Sequence, residues 1–156
     1  MHADFVSIQT EDIDAQVVRA LGRVSESLGV DKGTLMDYER REAGGYHQVR
    51  WARRPDIAIP PTDVAVHYPW TLARMLAGKV NRFSRLEELP AEASIDRRSF
   101  ERVGTQSHIA VPLILDDAVL GTMFFATVDQ PREWPDDLVK RLQLLAKAFA
   151  FVLARR

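Results

Sequence analysis

The chain has 156 residues, of which 46% are hydrophobic and 28% are charged, and 21 basic residues face 22 acidic ones for a formal net charge of -1. This length predicts one domain, residues 1–156, with a substantial core, and the composition excludes a disordered chain. The sequence contains no cysteine, which excludes disulfides, thiolate metal sites and cysteine nucleophiles.

The first predicted element is an amphipathic helix over residues 11–28. Its apolar positions recur at steps of four, four, three and four, which places them on one helical face: Ile13, Val17, Leu21, Val24 and Leu28. Thr10 is the predicted N-cap and Gly29 the predicted stop.

From residue 32 the hydrophobic period shortens to two. Residues 33–39 and 46–53 predict two antiparallel strands joined by a turn at Gly44-Gly45. The alternation points Gln48 and Arg50 to one side of the sheet and Trp51 to the other. The following loop holds three prolines, so regular structure is expected to stop there.

Two short helices are predicted next, with a brief strand at residues 79–83 between them. The first opens at Tyr68-Pro69-Trp70 and ends before Gly78, and the second covers about residues 91–103. Ile95, Phe100 and Val103 are its expected buried residues. Short amphipathic helices of this kind usually cover a sheet.

Residues 107–115 and 118–128 predict a second hairpin with its turn at Asp116-Asp117. Both strands are apolar on both faces, which is typical of the middle of a sheet covered on two sides. Pro112 indicates a local irregularity in that pairing. The last helix starts near Trp134 and has two apolar stripes, whereas docking on a sheet needs only one.

Several of these segments combine into a recognisable pattern. They are residues 96–100, Gly104, the run Ser107-His108-Ile109-Ala110-Val111-Pro112-Leu113, the pair Leu120-Gly121 and the helix after Trp134. The pattern resembles a GAF domain of the type found in bacterial sensor histidine kinases and related regulators, over nearly the whole chain. The resemblance implies an α+β, profilin-like fold. In it, an antiparallel sheet of five or six strands carries the terminal helices on one face, and short helices and loops cover a pocket on the other.

By the same resemblance, the function is that of a sensory or regulatory domain that binds a small molecule in a bacterial signal-transduction protein, such as a histidine kinase. The absence of cysteine excludes covalent bilin attachment within this chain, and it also excludes the sulfoxide-reductase chemistry of some GAF proteins. Residues 81–83 and 87–88 match the cyclic-nucleotide signature of phosphodiesterases only superficially. No catalytic signature remains, so the domain is expected to be non-catalytic, with no cofactor or an unidentified small molecule. The spacing of the four histidines predicts no metal site.

The pocket is expected on the sheet face opposite the terminal helices. Its predicted apolar lining is Trp51, Trp70, Met75, Phe100, Ile109 and Val111. Its predicted polar anchors are Arg50, His67, Arg74 and His108. In the alternative interpretation these aromatic residues simply fill the core, since an error of one residue along a strand reverses every side chain.

The surplus apolar stripe predicts a homodimer through the terminal helices. The predicted interface consists of Val17, Leu21, Val24, Leu142, Leu145, Phe149 and Val152. Because the apolar repeat still runs at residue 153, the helix is expected to continue into an output module. A ligand-free dimerisation module with a filled core is the alternative function, and an unrecognised enzyme is a third.

The expected location is the cytoplasm, since the N-terminus lacks the basic stretch and apolar run of a secretory signal. No apolar run approaches membrane-spanning length, so no direct membrane contact is expected. The many arginines are interleaved with acids, most clearly over residues 82–102, which argues against a nucleic-acid surface.

Overall fold

The computed structural model describes residues 2–42, 45–59 and 62–155 of the chain, with side chains from residue 13 onward. In chain order, these residues form α1 (His2–Leu28), β1 (Lys32–Glu42), β2 (Gly45–Ala52), α2 (Val64–His67), α3 (Pro69–Leu76), β3 (Asn81–Phe83), α4 (Ser94–Arg102), β4 (Ser107–Leu115), β5 (Ala118–Thr127) and α5 (Asp136–Ala154). None of the helices among the described residues is both long enough and apolar enough to cross a membrane.

The strands form one antiparallel sheet in the order β2-β1-β5-β4-β3. The predicted α+β fold with a five-stranded sheet is therefore confirmed. β4 and β5 are joined at Asp116 and Asp117, whose φ angles of 51° and 65° are those of a two-residue hairpin turn. Aspartate tolerates this left-handed backbone better than most residues, which explains why the predicted turn forms here.

The two terminal helices cover one face of the sheet. α1 packs on β1 and β2, and α5 packs mainly on β4. The fully buried residues beneath them come from alternate strand positions, as a strand period of two requires: Leu35, Ile109, Val111, Leu113, Met123 and Phe125. The short helices lie on the opposite face, where Met36, Val64 and Leu72 form a second cluster of buried residues.

Four local predictions needed correction. α1 begins at His2, so Thr10 lies inside the helix and is not its N-cap. β1 extends to Glu42 because an irregularity between Asp37 and Arg41 lets its pairing with β2 continue. The second short helix is split into a 3-10 turn and α4, and Ile95 on α4 is exposed.

Pro112 lies inside β4, where the sequence predicted an irregularity. β3 pairs with β4 only as far as Ala110, whereas β5 pairs with Pro112 through Thr122. One side of β4 is therefore free of β3 at Pro112, and a residue without an N–H is tolerated there. The predicted turn residue Gly44 lies outside the described residues.

Candidate functional site

A cavity of about 90 Å³ lies between the sheet and the short helices, on the face opposite α1 and α5. The lining comes from four strands, the segment after β2, the short helices and the segment after α4. The described lining residues are Lys32, Thr34, Met36, Gln48, Arg50, Ile59, Thr62, Val64, Tyr68, Thr71, Phe100, Val103, Thr105, His108, Phe124, Phe125 and Ala126. This is the position at which the pocket was expected.

The alternation of β1 and β2 determines which polar groups reach the cavity. Lys32 and Thr34 are two residues apart on β1, and Gln48 and Arg50 are two apart on β2, so both pairs face the same way. Thr34 lies directly opposite Arg50 in the strand register. The floor of the cavity therefore combines two cationic side chains with a hydroxyl and an amide.

His108 is the polar group at the centre of an aromatic cluster. Its ring centroid is 4.8 Å from that of Phe100, 5.5 Å from that of Phe124 and 5.8 Å from that of Phe83. Burial among these rings and, to a smaller extent, the nearby charge of Lys32 lower the pKa of His108 to about 3. The imidazole is therefore neutral at pH 7, with one N–H donor and one acceptor nitrogen.

Arg50 and Gln48 tie β2 to the segment that follows it. The Arg50 guanidinium donates to the Gln48 side-chain oxygen and, at 3.3 Å, to the backbone oxygen of Ile59. The Gln48 amide donates to the backbone oxygen of Thr62 at 2.9 Å. Both side chains thus hold the segment after β2 against the cavity.

Asp96 on α4 fixes the start of α3, which forms another wall. This carboxylate is fully buried and accepts from the Trp70 backbone N–H at 3.1 Å and from the Thr71 N–H at 2.8 Å. The Thr71 hydroxyl donates to the same carboxylate at 2.7 Å. The first N–H groups of a helix have no partner within the helix, so a buried acceptor here satisfies them.

A side-chain hydrogen bond between two hydroxyls joins β1 to β5. The Tyr38 hydroxyl is hydrogen-bonded to the hydroxyl of Thr122, and its ring packs edge-on against Tyr46 at 4.9 Å. Burial raises the pKa of Tyr38 to about 12, so the phenol stays protonated under physiological conditions.

Of the predicted ligand-binding residues, Phe100 and His108 line the cavity, and so does the predicted anchor Arg50. Ile109 and Val111 do not, because His108 faces the cavity and the alternation then turns both of them toward α5. Their predicted position in the pocket was wrong, because each lies one residue along β4 from a position that faces the cavity.

Trp51 is likewise on the helix face of the sheet, where its indole packs against α1 at Gly22. A Cβ at position 22 would lie 2.9 Å from the Trp51 ring, so glycine permits this approach. Trp51 therefore belongs to the contact between helix and sheet, and its predicted place in the pocket was wrong.

Three further predictions placed residues of α3 in the pocket. The Trp70 ring lies under the Arg74 guanidinium at 5.4 Å, and the guanidinium is hydrogen-bonded to Asn81. Met75 is fully buried in the core. None of these three residues borders the cavity, and neither does His67.

Lys32, Thr34 and Gln48 line the cavity but were not predicted from the sequence as ligand-binding residues. The available signal was the alternation of β1 and β2, because residues that share a face with Arg50 belong to the same surface. Lys32 was missed because it was placed just before the first strand.

The predicted dimer interface needs correction, because most of its residues are buried within a single chain. Val17, Leu21, Leu142 and Phe149 are buried within a single chain, and Val24 and Leu145 are partly buried against the same core. Val152 is the member of the set that is exposed. Among the side chains described from residue 13 onward, the other exposed large apolar residues of the two helices are Val18, Leu144 and Phe151.

The cavity residues contain no recognisable catalytic set. The described lining has no aspartate or glutamate, and His108, with a pKa of about 3 among aromatic rings, is only a weak base at pH 7. Across the described part of the chain, no group of three or more His, Asp or Glu side chains could hold a metal ion. The arrangement is suited to binding a small molecule through a few polar groups in an apolar setting.

An antiparallel five-stranded sheet, with terminal helices on one face and a covered cavity on the other, defines a recognised class of α+β domain. The family model of the GAF domain matches residues 12–153, and the chain belongs to that family. No curated protein matches the sequence.

Solved structures share this fold at low sequence identity. The GAF domain region of a protein assigned as a membrane protein of Geobacter sulfurreducens superposes with a TM-score of 0.73 at 10% identity, covering 97% of this chain and 99% of that one. The phycocyanobilin-bound GAF domain of a cyanobacterial phytochrome gives a TM-score of 0.72 at 14% identity, covering 97% and 90%. A domain assigned to a two-component sensor histidine kinase of Sinorhizobium meliloti gives 0.65 at 17% identity, covering 90% of each chain. Identities this low establish the fold alone.

Proposed function

We propose that this chain is a sensory or regulatory domain of a bacterial signal-transduction protein, and that it binds a small molecule in the cavity. The observation that carries the proposal is the cavity itself, which has polar groups converging on an apolar interior. A structural core without a binding role has no need of a partly buried lysine and a partly buried arginine, because removing charged groups from water is costly.

The sheet connects the cavity to the terminal helices, so a ligand in the cavity can affect how those helices pack. On β4, His108 faces the cavity and the next residue, Ile109, packs beneath the terminal helices. On β5, Phe124 lines the cavity and Phe125 is part of the helix-side core. A ligand with different affinities for two arrangements of the sheet would shift the populations of the matching helix arrangements.

We also propose that the chain forms a homodimer through the terminal helices. The support is a stripe on α5 that the single chain leaves uncovered, with Leu144 at 71% exposure, Phe151 at 53% and the exposed Ala148 between them. These residues follow at steps of four and three, so they share one helical face. This stripe replaces the interface predicted from the sequence, whose members lie mostly in the core.

A histidine kinase is the proposed parent protein. Its support is the fold shared with a domain assigned to a sensor histidine kinase, together with the resemblance to the kinase-associated type of GAF domain. The reading frame beyond residue 156 tests this directly. A kinase module encoded there supports the proposal, and a different output module overturns it.

One observation favours the second candidate, a ligand-free interaction module. The cavity of about 90 Å³ is smaller than most small-molecule sites, which measure roughly 300–1,000 Å³. Either the natural ligand is small, or the aromatic cluster around His108 fills most of the space in the functional state.

Thermal unfolding with a panel of small metabolites, nucleotides, haem and bilins separates the two candidates. A ligand at 100 times its dissociation constant stabilises a protein by about 2.7 kcal/mol, which raises Tm by roughly 5–10 °C in a domain of this size. The control is Thr34→Phe, which fills the cavity, beside Thr34→Val, which keeps its size. A shift in the wild type and in Thr34→Val but not in Thr34→Phe supports ligand binding. No shift with any compound supports the interaction module.

A further inference from the structure

Two cationic side chains, Lys32 and Arg50, line the same small cavity, and the described lining contains no acidic residue. We propose that the cavity binds a small organic carboxylate, whose negative charge lies between the Lys32 ammonium and the Arg50 guanidinium. This inference rests on the proposed ligand-binding function and specifies the chemical class of the ligand.

The strand register explains why the two cations are neighbours. Arg50 on β2 lies opposite Thr34 on β1, and Lys32 lies opposite Ala52. Lys32 and Arg50 are therefore diagonal neighbours on one sheet face, a spacing of about 7–8 Å that long side chains can bridge. Their side chains extend toward the same space, where one anion can contact both.

Among the residues that the structure describes, Arg50 is hydrogen-bonded only to uncharged oxygens. Its hydrogen bonds go to the Gln48 side-chain oxygen and to the backbone oxygen of Ile59. A guanidinium has five N–H donors, so donors remain for a carboxylate. The two existing contacts orient the planar group, and this lowers the entropic cost of a second, charged partner.

Lys32 also lacks an ion-pair partner among the described residues. The carboxylate nearest in sequence, Asp31, is bound to Arg53 at 2.6 Å and accepts from the Val128 backbone N–H at 2.7 Å. Asp31 borders the groove on the helix side of the sheet and not this cavity.

The protein thus holds two positive charges together at a cost. Burial and the charge of Arg50 lower the pKa of Lys32, against a smaller opposing effect of Asp31. Burial also lowers the pKa of Arg50. An anion between the two groups raises both pKa values again, because an opposite charge favours the ionised form of each cation.

The size and remaining walls of the cavity define the rest of the ligand. A volume of about 90 Å³ equals the liquid share of roughly three water molecules and is below the ~150 Å³ that admits benzene. Apolar side chains complete the enclosure, among them Met36, Val103 and Phe124. These limits fit a short-chain carboxylic or 2-oxo acid and exclude a nucleotide in this conformation.

The test is a ¹H–¹⁵N NMR titration of the whole chain with acetate, propionate and pyruvate at constant ionic strength. Acetamide and propionamide serve as uncharged probes of the same shape, and inorganic phosphate tests whether any anion suffices. Ligands this small have few contacts, so we expect dissociation constants in about the millimolar range. The largest shifts are expected at amides of β1 and β2 beside Lys32 and Arg50, with smaller shifts where the other elements line the cavity.

Two variants remove one charge each, Lys32→Met and Arg50→Gln. The matched controls are Lys79→Met and Arg98→Gln, since both of these residues are exposed and outside the cavity. The variants should bind the best carboxylate about tenfold or more weakly, because a hydrogen bond to a charged group is lost. The controls should bind like the wild type, and Arg50→Lys should recover part of the affinity because it keeps the charge.

The possible results separate this inference from the proposed function. Preferential binding of carboxylates that depends on Lys32 and Arg50 supports the inference. Amides that bind in the cavity as tightly as the carboxylates overturn it and leave the proposed function intact. Phosphate that binds as tightly as the carboxylates overturns the choice of ligand class. No cavity shift with any probe overturns the inference, and the wider metabolite panel then decides the proposed function separately.

Discussion

Replacing Asp96 with alanine should strongly destabilise the domain. The carboxylate is fully buried and accepts three hydrogen bonds, from the backbone N–H groups of Trp70 and Thr71 and from the Thr71 hydroxyl. Each buried donor left without a partner costs about 1–3 kcal/mol. Partial relaxation reduces the sum, so we expect a loss of about 3–5 kcal/mol. That is a large part of a typical total stability of about 5–15 kcal/mol.

The assay is urea unfolding followed by circular dichroism, together with a thermal melt. A loss of this size lowers Tm by roughly 6–20 °C in a domain of 150–250 residues. The control is Asp136→Ala, since Asp136 likewise lies in the first turn of a helix and pairs with Arg82 but is exposed. Exposed ion pairs typically contribute no more than about 1 kcal/mol.

A second variant tests the hydrogen-bond network itself. Thr71→Val removes one of the three donors and should cost about 1–2 kcal/mol. In the double variant with Asp96→Ala the two losses should not add, because the Thr71 hydroxyl has already lost its acceptor. Equal losses for Asp96→Ala and Asp136→Ala, or full additivity with Thr71→Val, would refute the reasoning.

The remaining predictions concern a histidine, a glycine and the helix surface. His108 has a pKa of about 3 in the folded protein against about 6.5 when unfolded. Its contribution to the free energy of unfolding is therefore complete above pH 6.5 and is lost as the pH falls toward 3. Wild type and His108→Phe should therefore diverge by roughly 3–5 kcal/mol over that range in urea unfolding, and parallel pH profiles would contradict this. Gly121→Ala should lower the free energy of unfolding by about 1–3 kcal/mol or more in the same assay. The reason is that the new Cβ would lie 2.1 Å from the Met36 backbone oxygen. A loss below about 0.5 kcal/mol would show that the strands separate easily. Leu144→Glu with Phe151→Glu should yield a monomer by light scattering at unchanged Tm. The control Arg98→Glu, at an exposed position of α4 on the other face of the sheet, should leave the dimer intact. A wild type that is monomeric at all concentrations would remove the dimer proposal.

Local periodicity was sufficient to predict the main elements. The i, i+3 and i+4 spacing of α1 and α5, the period of two in β1 and β2 and the apolar runs of β4 and β5 produced the correct order of helices and hairpins. Turn chemistry at Asp116 and Asp117 was equally local, since it depends on residues that tolerate positive φ.

The site was harder to predict because it depends on which face of each strand the helices cover. A strand that is apolar on both faces, such as β4, carries no signal of its own orientation. His108 and Ile109 are adjacent, and only the docking of α5 over Ile109 turns His108 to the cavity. Trp51 illustrates the same limit, because its place opposite Gly22 follows from the packing of α1.

The dimer surface was misplaced for a related physical reason. Two apolar stripes on α5 were visible in the sequence, and either could have docked on the sheet. The structure buries residues from both, including Leu142 and Phe149 from the stripe that was chosen for the partner. Leu144 and Phe151, the large apolar residues of α5 that are left most exposed, belong to neither predicted stripe, whereas the exposed Val152 belongs to the chosen one.

The central claim is that ligand binding in the cavity alters the packing of the terminal helices. Hydrogen exchange measured by mass spectrometry, on the whole chain with and without a saturating compound from the metabolite panel, tests this most directly. We expect slower exchange in β1 and β2, which line the cavity, together with a changed exchange rate in α1 and α5 on the other face of the sheet. Protection of the strands with no change in either helix would contradict the coupling, and no protection of β1 and β2 with any compound would contradict the binding site itself.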